Sequence, residues 1–525
     1  MKIPKFLAGL ANLLAGLFIT AAAVLIVLYS QGYRFDKDDN KLEKTGVITI
    51  NGAPLFSDLY LEGKKEGKIP HSISSLSEGT YEVMVSRKGY QDWKKKVAVY
   101  PEKSSIVYAY LLKSQPEKET VFKIDDSLED IVLRDAPGEI YLITSKAIDQ
   151  TAVQDLTDIK AGKVGTDVSD TDINQEKTYK VWKYKTDPYF WEISSNPQLI
   201  FSSDQSHPNS EMTFKVSQNG KYLLVSIKSD TSSSLEIWQT NGDLQQTPIE
   251  ISSALLDSTP IWSKTDNSIL FISETEILSF NINNQSTTVL FKGDTNKAVW
   301  DTDENGVLYL LSTQPDNKTN IEQIDLETGK RLDTNLIEEI PLKTPEEDKS
   351  ADSLKADSSA DSIPVSIDGD ISSIVVSKEY EYVLILTSQK SYFYDLSQNE
   401  YSLISAEPLS FLDTTDEVVL LKNENDLKLF RFSKDEADPI TRLGTQTITF
   451  SQKLLTSFSW HKSQNSGYIL YISDGFLESI DSDGENSYKI IPIRNEFYAQ
   501  DKDGKNIYTI DKDNAAKSLV RYKIH

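Results

Sequence analysis

Three short acidic stretches carry the residue types of a calcium-binding loop. They are DTDENG at 301–306, DSDGEN at 481–486 and DKDGKN at 501–506. A calcium loop supplies oxygen ligands and ends in a glutamate at its twelfth position, where the stretch that begins at Asp301 has Ser312. Aspartate, asparagine and glycine are also the residues that tight β-turns favour. We therefore interpret the three stretches as turns, with a weak calcium site as the alternative.

The histidines do not have the spacing of a metal site. None has a second histidine two to four residues away, as paired metal ligands on one element would. The four are His71, His207, His461 and His525. Because His461 follows a tryptophan at a point where a turn is expected, we predict a solvated turn histidine there.

Other catalytic signatures are also missing from the sequence. It contains no nucleophile elbow, phosphate loop or dinucleotide-binding glycine pattern, and it has no cysteine that could supply a thiolate or a disulfide. We predict no catalytic residue, no cofactor and no metal, and therefore a protein that is not an enzyme.

Three tryptophans have the chemistry to stack on sugars. Trp262, Trp300 and Trp460 occupy one position of an internal repeat, and that position is Val216 or Val376 in other copies. A position that alternates between valine and tryptophan is typical of a packed core. We therefore predict that these tryptophans pack between repeat units.

The repeat recurs about every 40 residues and predicts four antiparallel strands per unit. One copy runs from Trp262 through the strand SILFIS to a strand–turn–strand tail, ILSFNINNQSTTVL. Six full units span residues 212–492, and segments near 131–185 and 496–524 would supply a split seventh. A twisted four-stranded sheet cannot bury both faces alone, and radial packing of copies solves this in a β-propeller. We predict about seven blades over residues 127–525, with eight as the alternative.

The starts of these units resemble those of TolB-like and WD40-like propellers. Trp262-Ser263 and Asp503-Gly504-Lys505 carry the resemblance. It implies the architecture and says nothing about a ligand.

Two polar segments do not fit the repeat. Residues 344–362 read TPEEDKSADSLKADSSADS, and residues 148–176 are similar in character. Such composition cannot bury enough apolar surface to fold by itself. We interpret both segments as insertions between strands of the propeller.

The N-terminal region predicts a membrane anchor. Residues 6–29 contain no charge, and a helix of this length spans roughly 36 Å, against about 30 Å for a bilayer core. No small-x-small cleavage site follows, so we expect an uncleaved anchor rather than a signal peptide. A short tail at 1–5 precedes the anchor, and a neck at 30–44 follows it.

Residues 45–113 change to a period of two, which predicts a small β-sandwich. The stretch LEGKKEGKIPHSISSLSEGTYEVMVSRKGYQDW resembles the PEGA domain. The resemblance rests on Gly63, Gly67, Pro70, Leu76, Gly79, Tyr81, Gly89, Tyr90 and Trp93. It implies a small immunoglobulin-like sandwich that acts as a spacer or adhesive module. A linker at 114–126 would join this module to the propeller.

The charge of the chain argues against nucleic acid as a partner. The net charge is −25, and the first 29 residues contribute only Lys2 and Lys5, so the remainder carries −27. An acidic body repels phosphate backbones. We expect a mainly β, single-pass cell-envelope protein with most of its chain outside the membrane. Its propeller would bind a protein or a wall polymer. The alternative function is that of a propeller-based hydrolase or lyase at the cell surface.

Overall fold

The computed structural model describes most of the chain. The described residues are 5–30, 32–36, 41–124, 131–136, 138–147, 177–186, 197–203, 210–229, 233–241, 248–251, 255, 258–295, 298–313, 319–332, 342–343, 371–377, 381–396, 400–414, 418–423, 426–431, 444–450, 455–463, 467–494, 497–513 and 516–525. The two polar insertions expected at 148–176 and 344–362 lie outside these residues.

One α-helix and a hairpin begin the chain. Helix α1 is Lys5–Ser30, and its side chains are described at positions 14–24, 26 and 27. Across the described residues, no helix combines the length and the apolar character that a bilayer crossing requires. The anchor at 6–29 stays a prediction.

The segment that we expected to be a simple neck, 30–44, contains two paired strands. They are β1 (Tyr33–Asp36) and β2 (Lys41–Lys44). The N–H of Thr45 donates to Gly32 O at 3.0 Å, and Nε of Arg34 donates to Ser75 Oγ at 3.0 Å. The hairpin is therefore tied to the module that follows it.

Residues 45–113, called the sandwich module below, fold into two packed sheets, as predicted. The strands are β3 (Gly46–Ala53), β4 (Asp58–Leu61), β5 (Lys64–Lys68), β6 (His71–Leu76), β7 (Gly79–Ser86), β8 (Trp93–Val99) and β9 (Ser104–Tyr110). One sheet has the order β6-β3-β9 and the other β5-β4-β7-β8. Alternate side chains such as Ile48, Val83 and Trp93 fill the space between the sheets and are almost fully buried. Gly52 has φ of 144°, and a Cβ there would lie 1.9 Å from Ala109 O, so the close approach of β3 to β9 needs a glycine.

Eight further sheets, called blades 1 to 8, make up the rest of the described chain. Blade 1 contains β11 (Ile131–Ala136), β12 (Glu139–Ala147), β13 (Lys177–Lys185) and β14 (Gln198–Ser202); blade 2 contains β15 (Glu211–Val216), β16 (Tyr222–Lys228), β17 (Ser233–Gln239) and β18 (Ile249–Ile251); blade 3 contains β19 (Thr259–Trp262), β20 (Ser268–Ile272), β21 (Glu276–Asn281) and β22 (Ser286–Lys292); blade 4 contains β23 (Ala298–Thr302), β24 (Val307–Thr313) and β25 (Thr319–Asp325). Blade 5 contains β26 (Leu342–Lys343), β27 (Ile371–Ser377), β28 (Tyr382–Thr387), β29 (Ser391–Asp395) and β30 (Glu400–Ser405); blade 6 contains β31 (Ser410–Thr414), β32 (Val418–Lys422), β33 (Asp426–Arg431) and β34 (Gly444–Thr449); blade 7 contains β35 (Leu455–Trp460), β36 (Tyr468–Ser473), β37 (Phe476–Asp481) and β38 (Tyr488–Pro492); blade 8 contains β39 (Ala499–Gln500), β40 (Asn506–Asp513), β41 (Ala516–Lys523) and β10 (Glu117–Ile124).

The eight blades close into a ring. Each neighbouring pair of blades shares one cluster of buried apolar side chains, from blades 1 and 2 around to blades 7 and 8. An eighth cluster, which includes Ile140, Tyr184, Ile510 and Leu519, joins blade 8 back to blade 1. First strands of neighbouring blades contact each other, as β23 does β27, so these strands surround the axis. This is a β-propeller arrangement, and the count is eight rather than the seven that we favoured.

Blade 8 is assembled from two distant segments. Its outer strand is β10, which pairs with β41 from Glu117↔Lys523 to Ile124↔Lys517. We expected the C-terminal strand to close the ring with segments near 131–185, and the partner is different: residues 517–523 pair with β10 at 117–124. The prediction of a linker at 114–126 is wrong, because residues 117–124 form strand β10. What we interpreted as one split blade is two blades, the first and the eighth.

The ring has two unlike faces. One face carries the turns between the first and second strands and between the third and fourth strands of each blade, and we call it the turn face. The other face carries the remaining connections, and we call it the connection face. The sandwich module packs on the turn face at blades 7 and 8. The strands that flank both polar insertions end or begin at the connection face, because those insertions join β12 to β13 and β26 to β27. The strand ends that flank these two insertions therefore lie on the face opposite the sandwich module.

Candidate functional site

The acidic stretches are β-turns of the turn face, as predicted. Asp303 is buried, and its Oδ1 accepts the N–H groups of Asn305 and Val307, both at 2.9 Å. Asp501 accepts the N–H of Asn506 at 3.1 Å in the same way. These carboxylates satisfy main-chain donors of their own turns. In the described part of the chain, no three or more histidine, aspartate or glutamate side chains are grouped so that they could hold a metal ion.

Asp301 connects three blades. Its Oδ2 lies 2.8 Å from Nζ of Lys264 in blade 3 and accepts the N–H of Val376 in blade 5 at 2.8 Å. Lys264 also donates to Val376 O at 2.7 Å. Both charges are thus compensated by a partner and by hydrogen bonds, which a partly buried ion pair needs.

Similar polar contacts follow the turn face from blade to blade. Asp266 accepts the N–H groups of Gln218 and Asn219 in the preceding blade at 2.8 and 2.5 Å, and burial raises the pKa of its carboxyl group. Gln500 of blade 8 accepts the N–H of Lys462 in blade 7 at 2.9 Å. The polar residues of this face hold neighbouring blades in position.

The three repeat tryptophans pack between blades, as predicted. Trp262 packs on the cluster of blades 2 and 3, Trp300 on that of blades 3 and 4, and Trp460 on that of blades 6 and 7. Nε1 of Trp262 donates to Lys215 O at 3.0 Å. These side chains therefore contribute to the packing between neighbouring blades.

The prediction that His461 is a solvated turn residue is wrong. The side chain is buried, its Nε2 lies 2.8 Å from Gly504 O, and its Nδ1 accepts the N–H of Ser463 at 3.3 Å. With one ring nitrogen donating and the other accepting, the imidazole is neutral. Burial lowers its pKa to about 4. Tyr110 of the sandwich module lies against this ring, with the centroids 5.8 Å apart.

The other histidines have different surroundings. His71 is exposed on β6, and His207 lies outside the described residues. His525 lies beside His461 and Tyr110, with ring centroids 5.4 and 4.3 Å away, and burial lowers its pKa to about 3. No sequence signal marks this cluster, because its parts come from the module and two blades.

Acid is expected to destabilise the fold through His461. The folded-state pKa of about 4 lies below the ordinary 6.5, so the unfolded chain binds the proton more tightly. Above pH 6.5 the histidine is neutral in the folded and the unfolded state and does not change the free energy of unfolding. As the pH falls from 6.5 towards 4, the unfolded chain binds the proton and the free energy of unfolding decreases by about 3 kcal/mol. Melting temperatures at pH 7 and pH 4.5 should differ less for His461→Gln than for the unchanged protein.

His71→Gln is the matched control, since that histidine is exposed. It should keep the full pH dependence. Burial raises the pKa of Asp481 to about 6, so this carboxyl group makes the fold more stable as the pH falls, opposite to the effect of His461. Asp481 is present in every variant, so its contribution cancels when the variants are compared. Equal pH dependence in His461→Gln and the unchanged protein would contradict the assignment.

The turn 481–486 is the polar junction between the ring and the sandwich module. Nζ of Lys95 lies 2.5 Å from Asp483 Oδ2 and 3.6 Å from Asp481 Oδ2. Oδ1 of Asn486 accepts the N–H of Lys94 at 3.1 Å, and its Nδ2 donates to Lys94 O at 2.9 Å. The amide therefore pairs with the edge of β8 as a neighbouring strand would.

The junction also has an apolar part. Tyr468 of blade 7 belongs to the buried core of the sandwich module, and Leu112 belongs to the cluster of blades 7 and 8. The hydroxyl of Tyr488 donates to Asp92 O at 2.6 Å. Because the two cores are continuous and the polar groups are paired, the module and the ring are held in one fixed relation.

We expect Asn486→Gly to loosen this junction. Glycine is the suitable replacement because Asn486 has φ of 50°, which alanine would tolerate poorly. The loss of the two hydrogen bonds to Lys94 should destabilise the docked module by about 1–3 kcal/mol. Because about 1.4 kcal/mol corresponds to a factor of ten, hydrogen exchange at the Lys94 amide should accelerate at least about fivefold.

Gln285→Gly is the control for this variant. Gln285 has φ of 57° in the corresponding turn of blade 3, away from the junction. Its substitution should leave the Lys94 amide unchanged. The junction assignment fails if both variants accelerate exchange equally.

A comparison with known protein families supports the expected resemblance of the sandwich module to the PEGA domain. Residues 45–115 match the family model described as PEGA domain. No curated protein matches the chain.

Solved structures with similar folds are distant in sequence. Oligopeptidase B from Leishmania major is 8% identical, with 76% of this chain and 54% of that chain covered and a TM-score of 0.41. Oligogalacturonate lyase from Vibrio parahaemolyticus is 8% identical, with 61% and 94% covered and a TM-score of 0.34. The Cps50 (Swd1) β-propeller domain of Myceliophteria thermophila is 9% identical, with 62% and 99% covered and a TM-score of 0.34. The alignment spans about half the length of the peptidase chains, 56% for dipeptidyl peptidase 4 of Porphyromonas gingivalis.

Proposed function

We propose that the protein is a membrane-anchored, non-catalytic scaffold of the cell envelope, in which the propeller binds a protein or a wall polymer. The observation that carries this proposal is the junction between the sandwich module and blades 7 and 8. A spacer that is only tethered would leave the ring free to tumble. Here paired charges, an amide that pairs with Lys94 and a continuous apolar core fix the ring on its support.

The use of the polar side chains supports a structural role for the turn face. The aspartates and His461, which had the residue types for chemistry, each satisfy a main-chain group or an ion-pair partner. These contacts support a role for the side chains in holding the turns and the blades in position.

The anchor and the location are part of the same proposal. The uncharged run at 6–29 in α1 would hold the chain in the membrane, with the bulk of it on the outer side. The sandwich module would then set the height of the ring, and the connection face would point away from the support. Loops carried on a rigid scaffold are common binding surfaces. The net charge of −25 disfavours nucleic acid as the partner.

The test uses the full chain in detergent. Panels of esterase, peptidase and glycosidase substrates should show no turnover. Immobilised protein should recover one reproducible partner from envelope extracts, and fragments of wall polymer should be assayed for binding in parallel.

The alternative function, that of a hydrolase or lyase, predicts a different result. Turnover that one point substitution in a propeller loop abolishes would overturn the scaffold proposal. Absence of both turnover and any reproducible partner would also count against it.

A further inference from the structure

The sandwich module has four edge strands, and three of them are protected against pairing with another chain. Strand β5 carries Lys64, Lys65 and Lys68 and has a register shift against β4. Lysines and bulges on an edge are recognised ways to prevent strand addition. An incoming strand would have to bury these charges.

Two further edges are blocked by structure. Strand β6 has a register shift at Ser75, where φ is 66°, and Arg34 of the hairpin donates to that serine. Strand β8 carries Lys94 and Lys96, and Asn486 of blade 7 occupies both main-chain groups of Lys94. The O of Ala98 in β8 accepts the hydroxyl of Ser105 at 2.6 Å. On both edges, an incoming strand would have to displace such contacts.

Within the part of the chain that the structure describes, the fourth edge, β9, has no lysine, no register shift and no capping side chain on its outer main-chain groups. Its sequence, SSIVYAY, contains no charged residue and no proline. The side chains of Ile106 and Tyr108 are 40% and 42% exposed, although both are large and apolar in character. Residues of this type are the ones that strands favour.

The main-chain geometry of β9 leaves alternate residues for a partner. The N–H of Val47 donates to Lys103 O at 3.0 Å, and the N–H of Leu111 donates to Ala53 O at 2.8 Å. In this parallel pairing the odd-numbered residues of β9 therefore direct their main-chain groups to β3. The even-numbered residues Ser104, Ile106 and Tyr108 direct theirs away from it.

We propose that β9 receives an extended peptide segment of a partner protein, which adds one strand to the sheet β6-β3-β9. This inference rests on the proposed function and narrows its partner to a protein. A row of alternating N–H and C=O groups is complementary to a peptide main chain, and strand addition is an established mode of recognition. The exposed Ile106 and Tyr108 select β-branched or aromatic side chains at alternate positions of the incoming strand.

The outer row of main-chain groups has a defined end. The strand ends at Tyr110, whose ring lies edge-on to His525 at 4.3 Å in the junction. Beyond it, Leu112 O already accepts the N–H of Gln91 at 2.8 Å. An added strand therefore pairs with Ser104, Ile106 and Tyr108 and stops before the junction.

The test measures binding of a defined probe to the full chain in detergent. The probe is a nine-residue fluorescent peptide of alternating threonine and valine with a lysine at each end; its mate has a central proline, which lacks the N–H that pairing needs. The test variant is Ile106→Lys, which places a charge on the edge. The control is Ser74→Lys, which adds the same charge to an exposed position on the β6 edge of the same sheet.

The unchanged protein and Ser74→Lys should bind the probe equally, and both Ile106→Lys and the proline peptide should weaken binding at least tenfold. Equal binding by Ile106→Lys would overturn the proposal. A dimer of the full chain that Ile106→Lys abolishes would make a second copy the occupant and would also overturn it. Recovery of the same partner from envelope extracts by Ile106→Lys and the unchanged protein would defeat strand addition and leave the scaffold function standing.

Discussion

Deletion of residues 518–525 is expected to abolish the cooperative melting of the whole ring. Alternate side chains of β41 fill two different cores: Leu519 lies between blades 8 and 1, whereas Val520 and Tyr522 lie between blades 7 and 8. Each lost buried side chain costs about 2–5 kcal/mol, and β10 and β40 lose their shared partner strand. Calorimetry of the truncated chain should show no sharp transition at the temperature of the unchanged protein.

A substitution on the same strand provides the control. Lys523 is partly exposed and lies 3.7 Å from Glu117, and a surface pair of this kind contributes at most about 1 kcal/mol. Lys523→Gln should therefore melt almost as the unchanged protein does. A normal transition in the truncated chain would show that the blades form an open array.

Replacement of Lys183 by methionine is expected to produce the second large loss of stability. This lysine is 3% exposed, and its Nζ lies 2.8 Å from Glu139 Oε1 and 2.7 Å from Asn241 Oδ1. The hydroxyl of Tyr141 donates to the other oxygen of Glu139 at 2.6 Å. Without the lysine, a carboxylate is left at the boundary of blades 1 and 2 without its charged partner, which costs about 3–5 kcal/mol.

The measurement is the free energy of unfolding from urea titration. Lys505→Met is the control, because its partner Asp503 is exposed and the pair should contribute less than about 1 kcal/mol. The double variant Lys183→Met/Glu139→Gln should recover part of the loss, since the buried charge is then gone. Similar losses in Lys183→Met and Lys505→Met would contradict the role of this network.

The repeat was the part of the fold that the sequence revealed best. Trp262, Val376 and Trp460 lie at or near the ends of first strands, where a fixed apolar position recurs because each blade must fill the same gap. The alternation at 45–113 was equally informative, since strands such as β3 and β8 bury one face.

Long-range pairing was the part that sequence reasoning missed. Strand β10 begins with the charged residues Glu117, Lys118 and Glu119, which resemble a linker, yet Glu119 pairs with Arg521 across the strands. The blade count changed from seven to eight for the same reason, because this strand completes blade 8 and leaves blade 1 to the following segment. Burial of His461 was equally invisible, since Tyr110 arrives from another module.

Closure of the ring by β10 and β41 has a consequence for how the chain folds during synthesis. Glu119 and Arg521 are 402 residues apart in sequence, so the contact that completes blade 8 cannot form until nearly all of the ring has been made. Contacts of such separation slow folding, and unpaired strand edges are prone to aggregate while they wait. Blades 1 to 7 must therefore remain an open arc with exposed flanks at both ends until residues 516–523 arrive. We expect the nascent arc to be the form of this protein that most depends on chaperones.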